Sequence, residues 1–279
     1  MRSSTRSAAD RVRVNLHFSD RALATVAGVL VIAGVFSLGV WVGRRSVKSS
    51  STTEAFAKIE SAPTETIEAS TAPSSGANRL KEFKATLGAA ADKMSETERR
   101  PLRAAQELVA RMQPQMAAYE VSLAALSKAR YVAPASIGTR DEIGARVALV
   151  QRFSDANEAM VRYFKNAERD YAAMLDELRV VDNLKEGVMD GFRRGGNFDL
   201  NLKIHESNSQ LAKSMQEMLK LLDREWGAWR TNEKGDVIFD REDAVKEFET
   251  LQGELTAAAK SHEAAEKKLV ERAAKTRKP

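Results

Sequence analysis

One long apolar run dominates the hydropathy pattern near the N-terminus. Residues 22–43 read ALATVAGVLVIAGVFSLGVWVG and carry no charged side chain. At about 1.5 Å per helical residue, such a run covers the roughly 30 Å hydrocarbon core of a bilayer. Trp41 lies near its end, where an amphipathic indole favours the interface. The run predicts a single transmembrane helix, because no second run of this kind follows it.

Two questions about this predicted helix stay open: whether it is cleaved, and whether it pairs with another membrane helix. A cleavable signal peptide would need a small-residue cleavage site, and Ser37 with Gly39 is the only weak one, after a run that is long for a signal sequence. Small residues also share one face of the helix, which can pair two membrane helices closely or can reflect the ordinary abundance of glycine in such helices. The members of this face are Ala24, Gly28, Gly39 and Gly43.

The flanking charges leave the orientation of the helix nearly balanced. Five arginines precede the run, and Arg44, Arg45 and Lys48 follow it. The nearest flanks favour a cytoplasmic domain by the positive-inside rule. A lone N-terminal anchor before a large domain favours an uncleaved signal anchor, with the domain outside the cytoplasm. We expect a bacterial inner-membrane protein with a periplasmic C-terminal domain, and the opposite orientation stays open.

The pattern divides the chain into five segments. A basic arm, 1–21, precedes the membrane helix, 22–43. Residues 44–79 are rich in Ser, Thr, Ala and Pro and have no apolar period, which predicts a disordered linker. Helical periodicity then runs over 80–270, and a basic tail follows at 271–279.

Within residues 80–270, apolar residues recur at steps of three and four, which predicts five amphipathic helices. A short first helix should end at a break over 95–101, where Ser95 and Glu98 have capping-box spacing. Thr139 and Glu142 repeat that spacing before the longest run. This run has two heptad columns: Val150, Asn157, Phe164, Tyr171 and Leu178; and Phe153, Met160, Ala167, Met174 and Val181.

The glycine-rich stretch GVMDGFRRGG, 187–196, is expected to break the third helix. A fourth helix should then extend to Trp226 and Trp229, and a short β-prone turn near 230–239 should precede a fifth helix capped by Asp240. The apolar stripe of the fifth helix comprises Ala244, Phe248, Leu251, Leu255, Ala258, His262, Ala265 and Leu269. The predicted fold is all-α, an elongated antiparallel helical bundle with coiled-coil-like packing.

Three polar residues, Asn157, Asn208 and His262, interrupt the apolar stripes. Buried asparagines often fix the register between helices, and His262 is expected to be a packed core residue. If the third and fourth helices form a hairpin that turns at 191 or 192, Asn157 should lie beside Trp226. Asn208 should then lie beside Met174 or Leu175.

Composition excludes several kinds of chemistry. The chain has no cysteine, so it can form no disulfide and has no thiolate nucleophile. The net charge is +5, but residues 1–48 hold eight Lys or Arg against two acids and residues 266–279 hold six against two. Residues 49–265 therefore carry a net negative charge. Basic ends beside a membrane anchor indicate attraction to anionic lipid or a topology signal, and not binding of nucleic acid.

Candidate sites in the sequence are few. The three histidines have no metal-ligand partner at helical spacing, so no metal site is predicted. Arg193 and Arg194 beside several glycines are a weak candidate anion site, with a simple connection between helices as the alternative. No catalytic triad and no cofactor fingerprint can be identified, so neither an enzyme nor a bound cofactor is expected.

These patterns favour a membrane-anchored helical interaction or scaffold protein. Its expected partners are membrane lipid and either another protein or a second copy, bound through the membrane helix or the bundle. The alternative is a ligand-sensing bundle of the cell envelope that signals through a partner. In that case a small molecule would bind between helices, near Tyr171, Met174, Trp226 and Trp229.

Overall fold

The computed structural model describes residues 76–92, 94–128, 134–233 and 235–276, and these residues are almost entirely helical. The chain is all-α in this part. Its helices are α1 (Gly76–Ala91), α2 (Glu96–Lys128), α3 (Arg140–Glu177), α4 (Asp182–Gly195), α5 (Phe198–Arg224) and α6 (Glu242–Thr276). A short 3₁₀ turn, Pro134–Ser136, precedes α3, and a two-stranded hairpin separates α5 from α6.

The start of α2 confirms the capping signal in the sequence. The carboxylate of Glu98 accepts hydrogen bonds from the backbone N–H and the hydroxyl of Ser95, at 3.2 and 2.6 Å. The expected break over 95–101 is too long, because α2 already includes Pro101. At α3, Thr139 is the N-cap but makes no side-chain capping bond, and Glu142 instead accepts from the N–H of Gly138 at 2.8 Å.

Helices α2, α3, α5 and α6 run alternately up and down, and each packs against the next along the chain. α1 lies antiparallel along α2, with the backbone N–H of Gly76 bound to Glu120. Ion pairs between α3 and α5 and between α5 and α6 show the antiparallel register: Arg140 with Asp223, Arg224 with Glu247, and Arg272 with Asp199. Short connections between successive helices favour this arrangement.

The heptad columns of α3 supply the core, as predicted. Eight of the ten column residues are buried, and the exceptions are Leu178, which is half-buried, and Val181, which is exposed. α3 ends at Glu177, so both exceptions lie beyond the helix. All eight predicted stripe residues of α6 are also buried.

The stretch GVMDGFRRGG is a helix and not a break, which corrects the expectation from its glycines. α4 spans Asp182–Gly195 and packs against α3. Gly191 and Gly195, four residues apart, are both buried in α4. The ring of Phe192 lies 4.6 Å from that of Tyr171 and 4.5 Å from that of Phe198, so an aromatic contact fixes α4 on the bundle.

The β-prone turn forms a hairpin of β1 (Trp229–Thr231) and β2 (Val237–Phe239). It closes the end of the bundle, because Val237 and Phe239 are buried and the ring of Phe239 packs on Phe248. Two expectations fail here. α5 ends at Arg224, before either tryptophan, and α6 begins at Glu242, so Asp240 does not cap it.

The predicted arm, the membrane helix and residues 44–75 of the predicted linker lie outside the described residues. The last four linker residues, 76–79, already belong to α1. None of the helices in the described part of the chain combines the length and the apolar composition needed to cross a bilayer.

Candidate functional site

A layer of polar side chains crosses the middle of the bundle, where four helices contribute to it. Asn157 of α3 is at its centre and is fully buried. Its amide nitrogen donates to the backbone carbonyl of His205 at 2.7 Å and to the hydroxyl of Ser209 at 2.9 Å. Its amide oxygen faces Nδ1 of His205 at 2.8 Å. All the polar atoms of this amide are therefore used to hold α3 against α5.

The imidazole of His205 is neutral in this environment. An amide oxygen can only accept a hydrogen bond, so Nδ1 of His205 must carry the proton. Burial, with a smaller contribution from nearby His262, lowers the pKa of His205 to about 3. The ring also stacks on Phe164 and meets Tyr119 edge-on, with centroids 5.3 and 5.0 Å apart. Aromatic packing and one hydrogen bond thus fix its orientation.

Asn208 extends the layer from α5 to α2. Its amide nitrogen donates to the phenol oxygen of Tyr119 at 2.8 Å, and both side chains are buried. Burial, together with the nearby carboxylate of Glu266, raises the pKa of the Tyr119 phenol. The phenol therefore stays protonated at neutral pH, and its own O–H remains available as a donor.

The α6 side of the layer has unpaired polar atoms. His262 is buried, and neither of its ring nitrogens makes a hydrogen bond. Its Nε2 lies 3.0 Å from Oε1 of Glu266, one helical turn away, but the contact lacks hydrogen-bond geometry. On α2, Oε1 of Gln115 is also buried without a partner. Unpaired atoms of this kind are rare in folded proteins, because each forfeits its hydrogen bonds to water.

The structure buries the three polar residues singled out in the sequence, but it corrects their partners. Asn157 faces His205 and Ser209, about 20 residues or roughly 30 Å along α5 from Trp226. Asn208 faces Tyr119 of α2 and not α3. The predicted register failed because α3 ends at Glu177 and α4 intervenes, so α5 begins beside Phe164.

Arg193 and Arg194 lie in the last turn of α4 and form ion pairs with carboxylates. Arg193 pairs with Glu168 of α3 at 2.7 Å, and Arg194 with Asp190 at 2.6 Å. Both guanidinium groups are therefore partly neutralised by the protein itself. The small-residue face of the predicted membrane helix lies outside the described residues; it comprises Ala24, Gly28, Gly39 and Gly43.

The structure also separates the residues expected to surround a small ligand. Tyr171 donates to the carbonyl of Pro101 and stacks on Phe192 at the α4 end. Trp229 donates to the carbonyl of Leu222 at the hairpin end, which lies near Arg140. About 30 residues of α3, or roughly 45 Å, separate the two ends. These side chains therefore cannot line one pocket.

The polar layer includes residues that the sequence pattern did not identify. His205 and Tyr119 both occupy buried core positions. A sequence signal exists for His205, because it precedes Asn208 by three residues and therefore lies on the same helical face. The same spacing places Gln115 four residues before Tyr119 and Glu266 four residues after His262, each on the face that its helix buries.

The layer as built is suited to holding helices together through hydrogen bonds. In the part of the chain that the structure describes, no cluster of three or more His, Asp or Glu side chains can hold a metal ion. The class of protein defined so far is an all-α bundle with a buried polar layer. Comparison with protein-family models, with curated proteins and with solved structures found no match.

Proposed function

We propose that this chain is a membrane-anchored interaction protein without catalytic activity. In this proposal the apolar run 22–43 is a single-pass anchor, residues 44–75 form the linker, and the elongated, coiled-coil-like bundle is held away from the membrane. The observation that carries the proposal is the set of hydrogen bonds from Asn157 to His205 and Ser209 of α5. The amide of Asn157 is fully used in binding α5, which is the arrangement of a register-fixing residue.

The dimensions of the bundle fit such a role. α3 has 38 residues, so its axis is about 57 Å long. Ion pairs link neighbouring helices on the surface, including Arg140 with Asp223 and Lys165 with Glu206. A long bundle with a specified register presents surfaces at defined spacings, as an adaptor or spacer between a membrane and a partner requires.

The test is the oligomeric state and composition of the full chain purified from membranes in mild detergent. We expect a stable complex with a second copy or with another membrane protein. The double substitution of Gly39→Leu and Gly43→Leu distinguishes the two possible contacts, since it disrupts close packing of membrane helices and leaves the bundle unchanged. A complex that survives it is held by the bundle. A monomer that retains no partner contradicts the proposal.

The ligand-sensing alternative has one observation in its favour. Oε1 of Gln115, one turn from Tyr119 on α2, and the ring nitrogens of His262 on α6 are buried without hydrogen-bond partners, and a bound small polar molecule would satisfy such atoms. If this is the function, a specific metabolite should raise the melting temperature of the full chain. The rise should disappear in Gln115→Leu. No response across a metabolite panel would leave the interaction protein as the better account.

A further inference from the structure

Four apolar side chains form a small cluster that is separate from the main core. Leu200 and Ile204 of α5 contact Ala265 and Leu269 of α6. The earlier stripe residues of α6, from Ala244 to Ala258, belong to the main core instead. α6 is therefore attached to α5 in two parts, and the second part buries much less apolar surface than the first.

The polar layer divides these two parts. His262 occupies the stripe position between Ala258 and Ala265, and its ring nitrogens have no hydrogen-bond partner. A leucine at this position would join the two clusters. The buried imidazole makes no hydrogen bond to α5, and its Nε2 only approaches the carboxylate of Glu266 on its own helix, so it weakens the contact between α5 and α6. The adjacent polar link between α5 and α6 is a single hydrogen bond, from Ser207 to Ser261 at 3.1 Å.

A further attachment lies on the surface near the end of α6, where Arg272 donates to Oδ1 of Asn197 at 3.4 Å. Arg272 binds both carboxylate oxygens of Asp199, at 2.9 and 3.0 Å, and the two side chains are about half exposed. Exposed pairs of this kind contribute about 1 kcal/mol or less. Few buried apolar contacts and solvent-exposed polar links characterise segments that open without global unfolding.

We propose that residues 262–276 of α6 form a releasable segment. The segment leaves α5 as a unit, while residues 242–258 and the rest of the bundle stay folded. Its release uncovers the apolar side chains of Leu200 and Ile204. Use of this uncovered surface to bind a partner rests on the proposed interaction function, but the release itself does not.

Thiol labelling tests the release directly, because the chain has no natural cysteine. Ile204→Cys places a thiol under the segment, and Leu211→Cys places one in the main core of the same helix. The native side chains are matched, with exposures of 8% and 7%. In the full chain in detergent, we expect a maleimide to label the first thiol at least about tenfold faster than the second. Equal rates overturn the proposal.

Two further measurements separate concerted release from ordinary fraying of a helix end. Hydrogen exchange should proceed at one common rate over residues 262–272, faster than over 244–258. A gradual rise toward Thr276, with residue 262 as slow as Ala258, is fraying and counts against the proposal. Adding His262→Leu to the Ile204→Cys chain should slow labelling by about tenfold, because the two apolar clusters then join. Unchanged labelling would show that the polar layer does not control the segment.

Discussion

At the residue scale, the amide of Asn157 has the greatest consequence for the fold. Its neighbours in the same heptad columns are apolar, so an amide at this position is tolerated only when its polar atoms are paired. The three contacts with α5 meet that requirement. A shift of α5 by one turn would break them together and leave an unpaired amide in the core. We therefore expect Asn157 to select one register among several that the apolar pattern allows.

Replacement of Asn157 by alanine should therefore be costly. Asn157→Ala leaves the Nδ1–H of His205 buried without a partner and opens a small cavity, for an expected loss of about 2–3 kcal/mol of unfolding free energy. Urea unfolding measures this loss. The control is Glu158→Ala, the exposed neighbouring residue, which should change stability by less than about 0.5 kcal/mol. Equal effects of the two substitutions would show that Asn157 does not hold the register.

His205 makes the stability of the bundle depend on pH. Its pKa is about 3 in the folded chain, against an ordinary value near 6.5 when unfolded. Below pH 6.5 the imidazole of His205 is protonated in the unfolded chain but stays neutral in the folded chain. Stability from this group is therefore full above pH 6.5 and declines as the pH falls toward 3. From pH 6.5 to 4.5 the decline amounts to about 2–3 kcal/mol.

The measurement is urea unfolding of the wild-type chain and of His205→Gln at several pH values. The wild type should lose about 2–3 kcal/mol more than the variant between pH 6.5 and 4.5. Groups that do not interact with His205 contribute equally to both chains, so the difference reports His205 together with its coupling to His262. Parallel curves would mean that His205 is protonated in the folded state as readily as in the unfolded one.

At the scale of elements, α4 shows how packing can overrule local propensity. Its three glycines and the adjacent Gly196 weaken a helix, and the sequence pattern indicated a connection. In the structure, Val188, Met189 and Phe192 are buried, so apolar burial outweighs the weak propensity. A cluster of glycines next to several large apolar residues is thus compatible with a helix that packs closely on its neighbour.

The docking of α4 should depend on Phe192. Phe192→Ala removes the ring that contacts Tyr171 and Phe198, and we expect a loss of about 3 kcal/mol with faster hydrogen exchange throughout α4. The matched control is Arg193→Ala, the next residue, whose exposed ion pair with Glu168 contributes about 0.5 kcal/mol or less. If α4 exchanged rapidly in the wild type as well, it would be the loose connection that its glycines first indicated.

At the scale of the whole molecule, the orientation of the proposed membrane anchor would decide which partners the bundle can meet. We predict that the C-terminus lies outside the cytoplasm. A fusion after Pro279 reports this in a bacterial host, where alkaline phosphatase is active only outside the cytoplasm and green fluorescent protein, exported unfolded, fluoresces only inside. Phosphatase activity without fluorescence is expected. The reverse result would place the bundle in the cytoplasm, in agreement with the basic residues Arg44, Arg45 and Lys48.

Apolar periodicity alone was sufficient to predict the all-α class, the stripes of α3 and α6 and the capping box at Ser95. These features depend on contacts within one helix or on which face of a helix is apolar, and both can be derived from residue spacing. The burial of Asn157, Asn208 and His262 followed from the same stripes. Spacing could therefore identify polar residues in the core.

Tertiary structure alone decided which helices meet and at what level. The partner of Asn157 depends on where α3 ends and on whether residues 182–195 pack as a helix, and both result from burial against distant residues. The pairing of Tyr119 with Asn208 joins positions 89 residues apart. Such contacts depend on the free energy of the whole assembly, because a local sequence pattern specifies the face that a helix buries but not the side chains that will lie opposite.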